Sequence, residues 1–379
     1  MIRVLFLLVI ATVAMAAAPR GASAADFETA ATHAIILDHR SGRVLFRKNP
    51  DEPIPTASMS KIMTVYMLLE QLKAGTLTED DTFVVSEKAW KKGGSKMFVE
   101  VGKQVRVGDL LRGIIVQSGN DASIVVAEGL AGSEEAFAER MNEKAQELGL
   151  DNTTLRNATG WPDPEHRMSV RDLARLASLT ISNFPDYYGL YAEKKFTYHD
   201  IEQSNRNPVL YSFDGADGLK TGHTEEAGYG LVAAAERDGQ RLIFVLAGME
   251  SARERATESV RFMQWAFRTF RNFKLFADGE EVETAEVWLG EKVRVPLVTA
   301  EPLALTLSPD MREQMRVEVV YDGPIPAPVK AGEPLAELVV TIPGVETVRQ
   351  PLLAGSDVAR LGPMGRIAAA VGHMIWSAE

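Results

Sequence analysis

Three short runs of this chain hold residues that could do chemistry together. In "IPTASMSKIMTVYMLLEQL", Ser58 follows a proline-punctuated turn, and Lys61 stands three residues later at the head of an apolar run. A serine at a helix N-terminus has free backbone N–H groups and the positive end of the dipole beside it. It becomes a nucleophile when a neighbouring base takes its proton. Lys61 shares its helix face and can be that base, provided a dry site or a second cation lowers its pKa. The bland alternative is an N-cap serine with a snorkelling lysine. "VQSGNDAS" adds Ser118 and Asn120, and "GLKTGHTEEAGYG" adds Lys220, Thr221 and Gly222. Either run alone reads as a turn or a solvated strand end. All three in one chain are far rarer by chance than any one of them.

The elements that must position these residues show in the pattern. "HAIILDHRSGRVLFRKNPDEP" alternates about Ser41-Gly42 like an antiparallel hairpin. "LLRGIIVQSGNDASIVVAEGLAG" and "EAFAERMNEKAQELGL" carry apolar residues at helical spacing. A Pro/Gly loop, "ATGWPDPEHRMSVRDLARLASLTI", enters a helix near Ser169, with Asp172 in its first turn. "GYGLVAAAERDGQRLIFVLAGM" predicts a hairpin turning at Asp238-Gly239, and "SARERATESVRFMQWAFRTF" an amphipathic helix. After Phe276 the chain turns to short β-branched runs split by Gly and Pro, which predicts a second, β-rich domain. "GPMGRIAAAVGHMIW" returns to helical spacing.

Composition narrows the function. The 379 residues suffice for two domains, and 52 acidic against 41 basic residues argue against a nucleic-acid partner. The absence of cysteine excludes disulfides, thiolate nucleophiles and Cys-ligated zinc. The chemistry read here calls for no metal and no cofactor. "MIRVLFLLVIATVAMAAAPRGASAAD" has the shape of a secretory signal peptide with a small-residue cleavage site rather than an uncleaved anchor. Export without cysteine points to a bacterial periplasm or cell envelope. The expected division is 1–25 signal peptide, 26–275 first domain, 276–358 β-rich domain and 359–379 amphipathic helix.

Ser-x-x-Lys, Ser-x-Asn and Lys-Thr-Gly in this order form the signature set of penicillin-binding proteins and serine β-lactamases. With "TASMSKIMT", "SGNDAS", "GLKTGHTEEAGY" and "PAPVKAGEPLAELVV", the chain resembles low-molecular-mass D-alanyl-D-alanine carboxypeptidases of the penicillin-binding protein 5 type along its whole mature length. The resemblance implies an α+β fold. A transpeptidase-like domain, a helix-flanked antiparallel sheet, would be followed by a small all-β sandwich and a C-terminal amphipathic helix. It implies that Ser58 attacks the D-Ala-D-Ala carbonyl of a peptidoglycan stem peptide and that β-lactams acylate the same serine. Lys61, its charge disfavoured by Lys220, would accept the proton, and Ser118 would pass one to the departing D-alanine. Asn120 would hold Lys61 and the substrate amide, and Lys220 would face the substrate carboxylate. Thr221 and the strand edge would pair with the peptide, and Gly222 would let it approach. The N–H groups of Ser58 and His223 would form the oxyanion hole. Arg255 would assist with the carboxylate, with Arg253 close enough to compete for that role. The terminal helix would tether the enzyme to the outer face of the inner membrane.

One departure concerns the loop "NATGWPDPEH", where Thr159 stands at a position relatives often fill with His. It bears on deacylation. Glu165 and His166 in this loop read as surface residues, because Pro162 and Pro164 suggest an exposed turn. The rival functions are a β-lactamase, a D,D-endopeptidase of the same fold and a non-catalytic peptidoglycan-binding scaffold. A class A β-lactamase pairs a loop Glu with an Asn four positions on, whereas Glu165 is followed at that spacing by Ser169.

Overall fold

A computed structural model describes residues 27–343 and 347–367. The signal-peptide expectation and most of the terminal-helix expectation lie outside the described residues.

The first unit is built on a five-stranded antiparallel sheet. Its strands are β1 (His33–Asp38), β2 (Val44–Lys48), β3 (Ala216–Thr224), β4 (Gly228–Arg237) and β5 (Gln240–Met249), in the order β3-β4-β5-β1-β2. Both hairpins close where the sequence turns. Asp238 and Gly239 each take positive φ (51° and 72°), as a tight two-residue hairpin turn requires. Among the described residues β3 pairs only with β4, so the strand carrying Lys220, Thr221 and Gly222 is an edge there.

Alternate residues of the strands serve opposite faces. Ile35, Leu37, Val232, Ala234, Ile243 and Val245 join one core with the helices α1 (Lys61–Lys73), α2 (Val107–Ile115), α3 (Asn120–Ala131), α4 (Glu134–Glu147) and α5 (Val170–Asn183). Phe244, offset by one from Ile243 and Val245, meets Phe262 of α6 (Ala252–Thr269) at 6.0 Å between ring centroids. Phe46 of β2 reaches the same ring at 5.1 Å. The sheet is thus covered on both faces, and its central strands can be apolar throughout. Ser169 caps α5, its Oγ accepting from Asp172 N at 3.1 Å.

The run "LLRGIIVQSGNDASIVVAEGLAG" is two helices. α2 ends at Ile115 and α3 begins at Asn120, with Gly119 N donating to Gly113 O across the break at 2.9 Å. Ser118 sits in that break at φ +61°.

Beyond the sheet, the division is not a single cut near residue 276. One unit comprises 27–278 with 301–309, and the other 279–300 with the described residues from 310 onward. The first unit regains 301–309 because Leu303–Leu307 pairs antiparallel with Arg271–Phe276, Phe273 opposite Leu305. Thr306 Oγ1 lies 2.7 Å from both Asp38 Oδ2 and Asn272 Oδ1.

The second unit is a β domain. Its six-stranded sheet runs in the order Arg316–Val320, Pro334–Thr341, Val348–Ala354, Arg294–Thr299, Glu281–Trp288, Ile325–Pro326. Residues 363–367 are helical. Among the described residues no helix is long and apolar enough to cross a membrane.

Candidate active site

Ser58 stands in a 3₁₀ turn, Ala57–Ser60, that runs directly into α1. Residues three apart eclipse one another in such a turn, so Lys61 falls beside Ser58, with Nζ 2.8 Å from Oγ. Lys61 is fully buried. Its Nζ also donates to Asn120 Oδ1 (2.7 Å) and to Thr159 O. Those two carbonyl oxygens can only accept, whereas a hydroxyl can donate. A neutral amine has two N–H groups for the carbonyls and one lone pair, which this arrangement leaves for the Ser58 proton.

The electrostatics agree. The Lys61 pKa is lowered to about 7, by burial first and the Arg206 guanidinium second, with Lys92 adding to them and Asp121 and Glu134 opposing. Arg206 is the cation that adds most to burial, and the expected Lys220 repels Lys61 as well, a repulsion the two lysines share. Burial and then Lys61 hold the Lys220 ammonium well below the usual lysine range. Lys220 is buried on the edge strand itself, and its Nζ donates to Thr221 O at 3.2 Å.

The other motif residues converge on the same point. Two cavities, of about 280 and 250 Å3, share Ser58, Ser95 and His223. Ser118, Arg206, Thr221, Gly222, Tyr229 and Arg255 complete the first. Asn120, Thr159, Gly160, Trp161 and Thr224 are among the walls of the second. The Ser118 Oγ is buried without a hydrogen-bond partner while its residue lines the first cavity. An orphaned hydroxyl there is poised for a group that enters the cavity. Asn120 Nδ2 gives one N–H to Gly93 O at 2.9 Å, and among the described residues no partner is seen for its other N–H. Arg255 lines the cavity and lies over the Tyr229 ring, 5.5 Å from its centroid, while Arg253 is exposed and lines neither cavity. The His223 ring stacks on Tyr229 at 3.9 Å.

Gly222 does a further job besides lining the first cavity. A Cβ there would come 2.6 Å from Thr56 O and 3.2 Å from the Ala57 Cβ, so the glycine admits the nucleophile turn.

The loop after α4 departs from expectation. Thr159 meets Lys61 through its backbone oxygen, and its hydroxyl is spent inside the loop on Asn157 Oδ1 (2.9 Å). Glu165 is exposed as expected, is paired with Arg156 at 3.1 Å and lines neither cavity. His166, read from sequence as a surface residue, is buried. The prolines expose the tip of the loop, and two hydrogen bonds draw its far end inward. His166 Nδ1 accepts from Arg156 N at 3.1 Å, and Nε2 bonds to Ser60 Oγ at 2.9 Å.

Sequence reasoning also missed Ser95, Arg206, Trp161, Tyr229 and Asp121. Only Asp121 left a signal, as an acidic residue in the first turn of α3. Its carboxylate accepts from Met97 N and Phe98 N, both at 2.8 Å, and so fixes the segment next to Ser95.

Residues 18–251 match the family described as D-alanyl-D-alanine carboxypeptidase, peptidase S11, and residues 270–360 match the penicillin-binding protein 5 C-terminal domain. The chain belongs to this family. It is 36% identical over 341 residues to the D-alanyl-D-alanine carboxypeptidase DacC of Escherichia coli, covering 88% of this chain and 85% of that protein. The crystal structure of penicillin-binding protein 5 from Haemophilus influenzae superposes with a TM-score of 0.76 at 34% identity, over 88% of this chain and 99% of that one. Penicillin-binding protein D2 of Listeria monocytogenes, solved in its ampicillin-bound form, gives a TM-score of 0.59 at 28% identity over 64% of this chain and 99% of that one. The carboxypeptidase fold expected from the motifs is therefore the one found, an α+β catalytic unit followed by a β domain.

Proposed function

We propose that this D-alanyl-D-alanine carboxypeptidase removes the terminal D-alanine of peptidoglycan stem peptides through an acyl-enzyme on Ser58. The observation that carries the reading is the fully buried Lys61 amine, 2.8 Å from Ser58 Oγ, with its pKa near 7. Neutral Lys61 takes the Ser58 proton as Oγ attacks the penultimate D-alanine carbonyl. The N–H groups of Ser58 and His223 hold the oxyanion. Ser118 relays the proton from Lys61 to the D-alanine nitrogen as the C–N bond breaks, which returns Lys61 to its neutral form, and water then releases the shortened peptide. The peptide lies along the edge of β3, bonded through Thr221 and the strand backbone. Its carboxylate end faces Arg206, Arg255 and Lys220. A carboxylate arriving there favours the charged form of Lys220, which burial disfavours in the empty site. A β-lactam presents an amide to the same serine and is trapped as the acyl-enzyme.

The exposed, Arg156-paired Glu165 supports the carboxypeptidase over a β-lactamase, since no loop carboxylate stands ready to activate a deacylating water. In the cell the protein belongs in the periplasm, on the outer face of the inner membrane, held by the C-terminal helix. Exposure of Met364 (87%) and Ile367 (67%) in the first turn of that helix supports the tether over a helix docked on its own domain.

The test is Ser58→Ala assayed with a fluorescent penicillin and with a soluble D-Ala-D-Ala peptide. Both the covalent label and D-alanine release are expected to vanish. A variant that still takes the label would sink the assignment. Rapid loss of label from the wild-type enzyme would favour a β-lactamase.

A further inference from the structure

The nucleophile turn is held from behind by a chain of hydrogen bonds that none of the signature motifs contains. Arg156 N can only donate, so His166 Nδ1, which it meets at 3.1 Å, is the unprotonated nitrogen. The ring proton therefore sits on Nε2 and is donated to Ser60 Oγ at 2.9 Å. Ser60 Oγ, so occupied as an acceptor, donates its own proton to Ala57 O at 3.0 Å. Every link is directional and ends on the peptide that joins Ala57 to Ser58.

That peptide needs holding. Ala57 takes φ +48°, in the left-handed region that strains a residue with a Cβ. Its carbonyl is wedged against Gly160, where a Cβ would lie 1.9 Å from the Ala57 oxygen. The carbonyl and the Ser58 N–H belong to one planar peptide, so fixing the oxygen fixes the direction of the N–H. Our reading of the mechanism makes that N–H half of the oxyanion hole. Burial keeps His166 neutral, with a pKa lowered to about 4, and so the proton remains on Nε2 at working pH. Ser60 and His166 are both buried and line neither cavity, so neither is placed to touch substrate.

We propose that His166 is a positioning residue for the acylation step, acting through Ser60 to aim the Ser58 N–H and Oγ. The inference rests on Ser58 being the acylated residue, and the Ser58→Ala experiment tests that separately. Acylation by a fluorescent penicillin, kcat and KM on a soluble peptide, and thermal unfolding are compared in His166→Ala, Ser60→Ala, the double variant, His166→Gln and His166→Asn. Losing one oriented hydrogen bond is expected to slow acylation roughly tenfold in either Ala variant, with KM nearly unchanged. The double variant should be no slower than the slower single one, because both cuts break one chain. His166→Gln places an amide N–H near the Nε2 position and should recover most of the rate. His166→Asn reaches only the Nδ1 position and should stay slow. Full acylation in folded His166→Ala, additive losses in the double variant, or equal rates for Gln and Asn would each overturn the proposal. If His166→Ala does not fold, the Gln and Asn comparison decides alone.

Discussion

Lys61 sets the pH behaviour of the site, and the sign follows from its burial. Its pKa falls to about 7 in the folded chain, against about 10.4 when exposed. Between those values the unfolded chain carries a proton that the folded chain lacks, so this residue makes stability rise with pH across that window. Below about pH 7 the amine is charged in both states and the full penalty applies, roughly 5 kcal/mol for a shift of this size. The fold tolerates that cost because acylation needs a base that is free at neutral pH. Acylation is therefore expected to fall about tenfold per unit below roughly pH 6 and to level off above roughly pH 8. Lys61→Arg, which cannot deprotonate, should acylate about a hundredfold more slowly or worse. Stopped-flow labelling across pH checks both. A flat profile, or a vigorous Lys61→Arg enzyme, would leave Lys61 a mere positioner of Ser58.

At the scale of elements, the site depends on how closely three backbones pack around the Ala57–Ser60 turn. The edge strand presses in at Gly222 and the loop at Gly160, and both would drive a Cβ into backbone oxygen. Gly230 is also close, but its Cβ would crowd the end of Met59, with Cε at 2.5 Å, which can swing away, and would meet backbone only at ordinary contact, Leu246 O at 3.4 Å. Gly222→Ala and Gly160→Ala should thus cut penicillin labelling severely and lower Tm, and Gly230→Ala should do less on both measures. Gly102 is the control. It takes φ +74° with nothing within 4 Å of a Cβ, so Gly102→Ala should cost about 1–2 kcal/mol and label normally. Normal labelling in Gly222→Ala would mean that the turn and strand can part without consequence. These contacts also mark what the sequence could tell. Ser58, Lys61, Ser118, Asn120 and Lys220-Thr221-Gly222 were legible because the chemistry fixes their types and spacing. The hairpins and helices were legible from period. Arg206, Trp161 and His166 were not, because loops deliver them at no fixed spacing from any motif. The break at Ser118 was also hidden, since apolar residues continue at helical spacing on both sides of it.

The whole molecule carries a formal charge of −11, and that decides how a membrane tether must work. An anionic bilayer repels such a protein, and only Arg366 is a firm cation beyond Leu361, so charge cannot supply the binding. Apolar burial can. Met364, Ile367, Val371, Met374 and Ile375 recur at helical spacing, with Trp376 suited to the interface and Arg366, Ala370, His373 and Ser377 on the other face. Each large side chain is worth up to about 1.5–3 kcal/mol when fully buried. The run is too short and interrupted to span, so the helix would lie in the interface and bind reversibly. The structure also says where to cut. Leu361 N donates to Leu289 O at 2.9 Å and Gly290 bridges Arg360, so the β domain uses the chain as far as Leu361. Truncation after Leu361 is expected to move the mature protein from the membrane to the soluble fraction, leaving D-alanine release from a soluble peptide unchanged. Salt should not release the full-length enzyme, because screening weakens only the repulsion. Recovery of full-length protein in the soluble fraction at low salt would show that no tether exists, and release by salt alone would show one held by charge.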